Sequence, residues 1–357
     1  MLTIHQFDYH LPASLIAHKP AEIRDHSRML VVNRQSGLIT DHHFFDLPQI
    51  IDQNYLIVRN NTKVIPARIF GQKTTGGQVE LLLIKRLAIL PDGETWQCLT
   101  KPGLKPGQTI TFPDSLLVAV CQSRNGYTQL IKFNQSSSTL FATLYQIGHT
   151  PIPPYIDWEK NDEQHLRDIY QTTFAKHQGS VAAPTAGLHF TKDLDQQLQK
   201  KGVDIAEVTL HVSLGTFLPV KAENIVNHQM HSEQFELTKQ VAEQITQAKS
   251  QGKKILSVGT TTTRVLESCA KTQGMLTPQA GETDIYIYPE YQFKIVDSLI
   301  TNFHLPKSTL LMLISAFTSF PQTQFENFHK SLVGLAYQLA IDKKYRFYSF
   351  GDAMLII

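Results

Sequence analysis

Residues 179–191, GSVAAPTAGLHFT, combine small side chains, one proline and one histidine in a segment too irregular for a helix or a strand. Small residues allow a backbone to approach a ligand closely, and Pro184 fixes its own φ angle. Residues 191–201 then read as a capped helix, whose N-terminus can bind an anion or a carboxylate. We therefore predict a ligand-binding loop, with a tight structural connection as the alternative. Its candidate substrate-binding residues are Ser180, Thr185 and Gly187.

A second polar segment, VGTTTTR at residues 258–264, follows the strand-like run ILSV and precedes the helix-like run RVLESCA. α/β sheets bind ligands where a strand ends and a helix begins. Threonine hydroxyls and backbone N–H groups there can hold a carboxylate or a ribose, and an arginine offers a bidentate fork. The alternative is a helix capped by threonines, with Arg264 at the surface. The predicted substrate contacts are Gly259, Thr260, Thr261 and Arg264.

Three of the fifteen histidines, His189, His211 and His304, lie in small-residue loops or at strand ends. An imidazole that titrates near neutrality is a natural proton donor or acceptor at such positions. Asn302 lies in the same segment as His304, TNFHLPKSTLLML at residues 301–313, and is a further candidate for substrate binding. For each single histidine a hydrogen-bonded structural role remains the alternative. As a set, the three histidines indicate a pocket.

A metal centre is not predicted. His228, His231 and Glu233 form an HxxHxE pattern, but this differs from HExxH and no further cluster with metal-ligand spacing accompanies it. The three cysteines are widely scattered and show no Cys-x-x-Cys spacing. They favour a reducing cytoplasm and argue against a disulfide framework or a zinc site.

Several other classes of protein are excluded by pattern. No GxGxxG follows a strand and no GxxxxGK[ST] occurs, which argues against dinucleotide-binding and P-loop proteins. The N-terminus has an acid at Asp8 and no apolar run, so we expect no signal peptide. The longest apolar run, residues 310–317, is too short to span a bilayer. We therefore expect a cytoplasmic protein without a membrane segment.

The formal net charge of +2 is small, so any surface that binds a nucleic acid must be local. Residues 59–105 contain eight basic and three acidic residues, a bias that favours such a surface there. An ordinary solvated surface is the alternative.

The spacing of apolar runs predicts two kinds of architecture. Between residues 67 and 134, short apolar runs alternate with turn residues, which is typical of a small barrel. Before it, the strand-like runs MLVV and YLIV lie on either side of a helix-poor stretch, and after it runs such as ILSV and DIYIYP alternate with helical patterns. We predict an α/β domain with a mainly parallel sheet, formed by residues 1–66 and 151–357, and an inserted all-β barrel domain, formed by residues 67–150.

These segments, taken in order, resemble the S-adenosylmethionine:tRNA ribosyltransferase-isomerases of queuosine biosynthesis over the whole chain. Further segments that carry the resemblance are RDHSRMLV (24–31), RNNTKVIPARIFG (59–71), GGQVELLL (76–83), PIPPYI (151–156), YQTTFAKHQGSVAAPTAGLHF (170–190), TLHVSLGTF (209–217), MHSE (230–233) and YRFYSFGDAMLI (345–356). The chain departs from the family pattern at Asn61 and Leu339, where the family usually has an acid, and at Ser213 and Glu290, where it usually has glycine.

The resemblance implies an α/β domain that carries a barrel, and an enzyme that uses S-adenosylmethionine in an unusual way. Such an enzyme moves the ribosyl part onto the aminomethyl group of 7-aminomethyl-7-deazaguanine in tRNA, forms epoxyqueuosine, and releases adenine and methionine. S-adenosylmethionine is then a co-substrate, no resident cofactor is expected, and the protein acts as a monomer. The proton transfers need a base, for which the candidates are His189, His211, His231, Glu233 and His304, with Asp352 less favoured. The candidate tRNA-binding residues are Arg68, Lys73, Lys85, Arg86 and Lys101.

Three other functions stay open at this stage. A pure RNA-binding module would explain the basic bias but not the histidine-bearing loops. A metal-dependent hydrolase would require the HxxHxE pattern to bind a metal. A conventional methyltransferase would add one methyl group to tRNA, whereas ribosyl transfer adds an epoxycyclopentane unit, so the mass of the tRNA distinguishes them.

Overall fold

The computed structural model describes residues 2–153, 155–156, 162–213, 220, 222–272, 274–321 and 325–357. Residue 154 of the PIPPYI segment and residues 214–217 of the TLHVSLGTF segment lie outside the described residues. Two compact units are present. The larger comprises Met1–Asn61, Thr172–Ala175 and Pro184–Ile357, and the smaller comprises Thr62–Gln171 and Lys176–Ala183.

The strands, in chain order, are β1 (Arg28–Val32), β2 (Ile39–His43), β3 (Tyr55–Asn60), β4 (Thr62–Val64), β5 (Arg68–Lys73), β6 (Gln78–Leu90), β7 (Gly93–Lys101), β8 (Thr109–Thr111), β9 (Val118–Asn125), β10 (Thr128–Phe133), β11 (His177–Ser180), β12 (Asp204–Leu210), β13 (Glu233–Leu237), β14 (Lys254–Val258), β15 (Ala270–Thr272), β16 (Met275–Leu276), β17 (Gln279–Thr283), β18 (Ser298–Asn302) and β19 (Ala353–Ile356). The helices are α1 (Leu47–Ile50), α2 (Ser137–Ile147), α3 (Glu163–Ile169), α4 (Lys192–Lys200), α5 (Lys239–Ser250), α6 (Thr260–Cys269), α7 (Thr309–Ser319) and α8 (Leu332–Asp342).

The larger unit is built on a nine-stranded sheet with the order β17-β13-β12-β3-β14-β18-β19-β1-β2. The prediction of a mainly parallel sheet is not confirmed, because four of the eight pairings among the described strands are parallel and four are antiparallel. One cause is the short turn between β1 and β2, closed by a bond from Asn33 N to Leu38 O, since a hairpin can only join antiparallel strands. The sheet is therefore mixed, with four adjacent parallel strands, β12, β3, β14 and β18, at its centre.

The predicted strand at residues 284–289 is wrong. The strand β17 lies just before it, and at its end the hydroxyl of Thr283 accepts a hydrogen bond from Ile285 N at 3.2 Å. This side-chain bond offers the backbone an alternative to the sheet ladder, so the chain leaves the sheet there.

β3 and β18 are buried along their length, and β14 after its first residue, because both faces of the sheet are covered. On one face, Phe190 together with Leu194 and Leu198 of α4 packs on Ile57 and Leu256 of the strands. On the other face, α5 and α6 pack on β12 and β14. The helix predicted after residue 191 is confirmed as α4, and the Thr191 hydroxyl accepts a bond from Leu194 N at 3.1 Å as its N-cap.

The smaller unit contains a closed barrel of six strands in the order β10-β7-β6-β5-β8-β9, and the predicted barrel is confirmed. Its strands alternate inward and outward, as in β10, and Trp96 is fully buried. Gly71 is required by packing, since a Cβ there would lie 2.5 Å from the Ile110 side chain. The smaller unit also includes α3 and residues 176–183, which the sequence analysis assigned to the α/β domain.

Candidate active site

The candidate site lies in the larger unit, where the carboxyl ends of β12, β3, β14 and β18 meet at one edge of the sheet. Because these strands are parallel and adjacent, their last residues are neighbours. Asn60 at the end of β3 accepts a bond from Leu210 N at 3.0 Å and donates to Leu210 O at 2.9 Å. Its amide also donates to the Thr261 hydroxyl at 3.3 Å. Asn60 therefore joins the ends of β3 and β12 to the first turn of α6.

The turn from β14 into α6 has a backbone shape that favours glycine. Gly259 has φ +86°, in the left-handed region, and its N–H donates to Ile300 O at 2.8 Å. The hydroxyls of Thr262 and Thr263 return to the carbonyls of Val258 and Gly259, at 2.7 and 3.2 Å. Thr260 and Thr261, the predicted substrate contacts, are both buried in this turn.

Residues from three separate segments form a continuous hydrogen-bonded chain at this edge. The Thr185 hydroxyl donates to Asn302 Oδ1 at 2.9 Å, and Asn302 Nδ2 faces His189 Nε2 at 3.3 Å. On the other side of the ring, His189 Nδ1 lies 2.7 Å from the Ser27 hydroxyl, which itself donates to Arg24 O at 3.1 Å. These partners assign the proton of the neutral ring to Nδ1, so Nε2 carries the lone pair.

His189 is held neutral by its surroundings. Burial lowers the pKa of its imidazole to about 3, with smaller contributions from the positive charges of Arg346 and Arg24. Its ring stacks on Phe44, with 5.0 Å between centroids. At neutral pH the His189 ring is therefore uncharged, and the lone pair of its Nε2 faces Asn302 Nδ2 at 3.3 Å.

His304 is also buried and neutral, because desolvation lowers its pKa to about 3. Its Nε2 lies 2.8 Å from the Thr301 hydroxyl. Its backbone is fixed by Tyr337, whose hydroxyl accepts from His304 N at 2.9 Å, and by Tyr9, whose hydroxyl donates to His304 O. Both its ring and its backbone are thus engaged within the protein, which favours a structural role.

Glu233 and Arg264 form a buried ion pair, with 0% and 2% of their side chains exposed. Glu233 Oε1 also accepts from Ser213 N at 2.8 Å, and Arg264 Nη2 donates to Thr283 O at 3.3 Å. The guanidinium fork that the sequence analysis assigned to a substrate is thereby directed at Glu233. This geometry favours a role for the pair in fixing β13, α6 and β17 together.

The remaining candidates lie in different surroundings. His231 is exposed. His211 is half-buried just after β12, and the backbone N–H of His211 donates to Gln234 O at 2.8 Å. Gly187 is required by packing, since a Cβ there would lie 2.8 Å from the Phe174 ring. Ser180 belongs to the smaller unit, where its hydroxyl donates to Ala182 O at 2.7 Å.

The N-terminus of α4, a predicted anion site, already faces carboxylates of the protein. The Thr191 hydroxyl donates to Asp25 Oδ2 at 2.6 Å, and Asp193 lies in the first turn. These acids satisfy the positive end of the helix dipole.

The five tRNA-binding candidates lie on strands of the barrel. Arg68 is 3.5 Å from Glu80 and Arg86 is 4.0 Å from Glu94. Lys85 and Arg86 flank irregular positions in the pairing of β6 with β7, and Lys101 is exposed at the end of β7. Lys73 ends β5.

Two further observations concern the described parts of the chain only. No three His, Cys, Asp or Glu side chains there lie together in a way that could hold a metal ion. No helix there is long and apolar enough to cross a membrane.

Sequence reasoning missed Ser27, Arg24, Arg346 and Asn60 as parts of the site. All four lie in segments that carried the family resemblance, 24–31, 59–71 and 345–356, but none of the four was itself given a role. The resemblance of those segments to the family was the available signal. What was missing is the sheet topology that brings their residues to His189 and to the strand ends.

Comparisons with known proteins identify the family of the chain. A family model described as "Queuosine biosynthesis protein" matches residues 4–356. The S-adenosylmethionine:tRNA ribosyltransferase-isomerases of Desulfitobacterium hafniense and Carboxydothermus hydrogenoformans are 47% and 46% identical to the chain, each match covering 100% of both sequences. The crystal structure of S-adenosylmethionine tRNA ribosyltransferase from Thermotoga maritima is similar with a TM-score of 0.53 and 34% identity, over 99% of this chain and 100% of that one. With its barrel, its mixed sheet and this whole-length similarity, the chain belongs to the queuosine biosynthesis protein family.

Proposed function

We propose that this chain is an S-adenosylmethionine:tRNA ribosyltransferase-isomerase, which transfers the ribosyl part of S-adenosylmethionine to 7-aminomethyl-7-deazaguanine in tRNA and isomerises it to epoxyqueuosine. The observation that carries the proposal is the 47% identity over the full length of a relative with that name. The reaction balances without an oxidant or a reductant. The amine gains the epoxycyclopentane unit, and adenine, methionine and one proton leave.

The chemistry needs a base in a dry site beside the sulfonium substrate. The positive sulfur acidifies the adjacent ribose carbon, so removal of a proton from that carbon can begin the reaction. His189 is the best-placed base among the described residues on geometric grounds, because the lone pair of its Nε2 faces Asn302 at the strand ends, next to Thr185. Amine attack on the ring, loss of adenine and closure of the epoxide follow.

Asn302, Thr185, Gly259, Thr260 and Thr261 then surround the ribose at the strand ends. His304 stays a proposed site residue, held by Thr301 and by two tyrosines. Glu233 and Arg264 support the site through their ion pair. Direct contacts of His211, His231, Gly187 and Ser180 with the substrate remain proposals from the sequence.

The barrel residues Arg68, Lys73, Lys85, Arg86 and Lys101 are proposed to bind the tRNA backbone. S-adenosylmethionine is consumed as a co-substrate, and the proposal includes no resident cofactor and no protein partner. Three buried free cysteines are compatible with the reducing cytoplasm in which tRNA is modified.

The function is tested with purified protein, S-adenosylmethionine and tRNA that carries the 7-aminomethyl-7-deazaguanine base. We expect equal amounts of adenine and methionine, tRNA heavier by the epoxycyclopentane unit, and no loss of activity on treatment with a chelator. A tRNA heavier by one methyl group, or activity that a chelator abolishes and zinc restores, would overturn the proposal.

The role of His189 is tested in the same assay by His189→Gln. Removal of a general base typically lowers kcat by about 10²–10⁴-fold. His10→Gln, at an exposed position, is the matched control and is expected to retain full activity. Normal adenine release by folded His189→Gln would show that another group takes the proton.

A further inference from the structure

Residues of two sequence segments that the reaction scheme has not used line one small pocket in the larger unit. The segments are residues 24–31 and 345–356, both of which carry the family resemblance. The pocket adjoins the imidazole of the proposed base. The lining residues that matter here are Arg24, Ser27, His189, Arg346, Ser349 and Gly351.

Two arginines line the pocket, and one of them is paired with a buried carboxylate. Arg346 is fixed by the buried carboxylate of Asp352, which accepts from Arg346 Nε and Nη2 at 3.2 and 3.0 Å. Asp352 is itself held by the backbone N–H groups of Arg346, at 2.8 Å, and Arg28, at 3.2 Å. The Arg346 side chain is 34% exposed, so it can still reach a ligand. Arg24 supplies the second positive charge, and the charges of both arginines help to lower the pKa of His189.

Ser349 provides an independent sign that a ligand binds here. It is 3% exposed, and its hydroxyl has no hydrogen-bond partner among the described residues. An unpaired buried hydroxyl costs free energy, and such groups in native proteins are usually satisfied by water or a ligand. Ser349 lines the same pocket as the two arginines. A single bond rotation can direct its hydroxyl to a ligand oxygen.

The combination of two guanidinium groups and a hydroxyl suits a small planar oxyanion, and a carboxylate is the best match. In S-adenosylmethionine the carboxylate is joined to the sulfur by a short saturated chain, and the ribose carbon that loses its proton is on the other side of that sulfur. A carboxylate held in this pocket lies beside the His189 ring, only five bonds from the ribose carbon that loses its proton.

We propose that the pocket of Arg24, Arg346 and Ser349 binds the carboxylate of the methionyl part of S-adenosylmethionine. This proposal rests on the proposed function, because it identifies how the co-substrate is held at the same site. It also gives the segments 24–31 and 345–356 a role in recognition.

The test compares S-adenosylmethionine with its decarboxylated analogue, with both dissociation constants measured by calorimetry in the presence of saturating tRNA. We expect the unmodified protein to prefer S-adenosylmethionine by tenfold or more. Arg24→Met should remove most of this preference, and Ser349→Ala should reduce it about threefold, in both cases by weakening the binding of S-adenosylmethionine. Arg28→Met is the matched control, since the Arg28 guanidinium binds Asp41 and lies over Tyr345, and it should keep the full preference.

An unchanged preference in Arg24→Met and Ser349→Ala would overturn the proposal. So would a fall in tRNA affinity and in its salt dependence with the preference intact, because the pocket would then bind a phosphate. If Arg24→Met does not fold, the same preference is measured in Arg24→Lys and Ser349→Ala, and an unchanged preference in both would overturn the proposal. Adenine release by the unmodified protein is measured in parallel. Failure of that release with an intact carboxylate preference would reject the proposed function and not the pocket.

Discussion

Two buried histidines dominate the chemistry of single residues in this protein. His189 and His304 both have a pKa lowered to about 3, in each case mainly by burial. In the unfolded chain an imidazole has a pKa near 6.5. The unfolded state therefore binds more protons than the folded state between these two values. Both side chains are neutral at physiological pH, as a base and a hydrogen-bonded structural residue need to be.

We predict that the free energy of unfolding is constant with respect to these groups above pH 6.5 and falls as the pH decreases from 6.5 toward 3. Each histidine contributes a slope of up to about 1.4 kcal/mol per pH unit in that window. Urea unfolding at several pH values measures the slope of the free energy of unfolding against pH. This slope should be smaller in His189→Gln and in His304→Gln than in the unmodified protein, and unchanged in His10→Gln. Identical slopes in all four proteins would contradict the buried neutral state.

Asn61 stands where the family usually has an acid, and its contacts explain how an amide fits. Its Nδ2 donates to Glu207 Oε2 at 3.4 Å, and its Oδ1 accepts from the Thr209 hydroxyl at 2.8 Å. Glu207 and Asp195 both pair with Arg59, at 3.1 and 2.8 Å. Two carboxylates already surround this arginine, so the amide supplies a donor where a third carboxylate would be repelled.

We predict that Asn61→Asp lowers the free energy of unfolding by about 1–3 kcal/mol at neutral pH, because it removes a donor and buries a negative charge beside Glu207. Thermal and urea unfolding measure the effect. In the double variant Asn61→Asp with Glu207→Gln the loss should be smaller than the sum of the single losses. Additive losses would indicate that the two side chains do not interact.

At the level of elements, the site depends on a helix and two strands that meet at one ion pair. Arg264 is in α6, Glu233 begins β13, and the Thr283 carbonyl that Arg264 also binds ends β17. Arg264 Nε has no hydrogen-bond partner among the described residues. A buried pair of this kind costs about 3–5 kcal/mol when one partner is removed.

We predict that Arg264→Lys lowers the melting temperature clearly, because lysine keeps the charge but loses the fork that reaches both partners. The folded fraction should bind S-adenosylmethionine with nearly unchanged affinity. The melting temperature and the Michaelis constant for S-adenosylmethionine together distinguish a structural role of Arg264 from a role in substrate binding. A Michaelis constant raised about tenfold or more, with normal melting, would instead assign Arg264 to substrate binding, as the sequence alone suggested.

The elements that position the site were largely predictable. The run ILSV with the following glycine and threonines predicted a strand, a turn and a helix, and the structure has β14, Gly259 and α6 there. The role of Arg264 was not predictable, since its partner Glu233 is 31 residues away in sequence. The same limit applies to Ser27, which is 162 residues from His189. Local pattern predicts elements, but side-chain partners depend on how distant strands pair.

The prediction of a parallel sheet failed for a related reason. Alternating strands and helices imply parallel neighbours when a single crossover helix joins two adjacent strands. Here β18 and β19 follow one another and are adjacent, but two helices, α7 and α8, lie between them and the strands are antiparallel. No local residue pattern distinguishes that order from another.

At the level of the whole molecule, the barrel provides the basic surface proposed for tRNA. Its candidate cations differ in their surroundings. Arg68 and Arg86 lie near acids, at 3.5 and 4.0 Å, whereas Lys101 is exposed. Lys101, which is exposed, is therefore the sharpest single test of tRNA binding.

We predict that the triple variant Lys73→Ala, Lys85→Ala and Lys101→Ala weakens tRNA binding and leaves the affinity for S-adenosylmethionine unchanged. Three lost phosphate contacts should reduce the slope of log affinity against log salt by about two to three. Filter binding over a range of salt concentrations measures it. A triple alanine variant at the exposed positions Lys200, Lys239 and Lys271 is the charge-matched control. Equal slopes in the two variants would place the tRNA elsewhere.

The position of β19 inside the sheet has a consequence for how the protein is made. β1 pairs with β19 on one side and with β2 on the other, and β19 also joins β18. On the ribosome, β1 and β2 emerge first but cannot dock until residues 353–356 have left the exit tunnel. The six barrel strands, by contrast, all lie between residues 68 and 133 and can pair as soon as they emerge. The barrel strands can therefore pair before β19 is available, whereas the edge of β1 that pairs with β19 stays open until residues 353–356 have emerged.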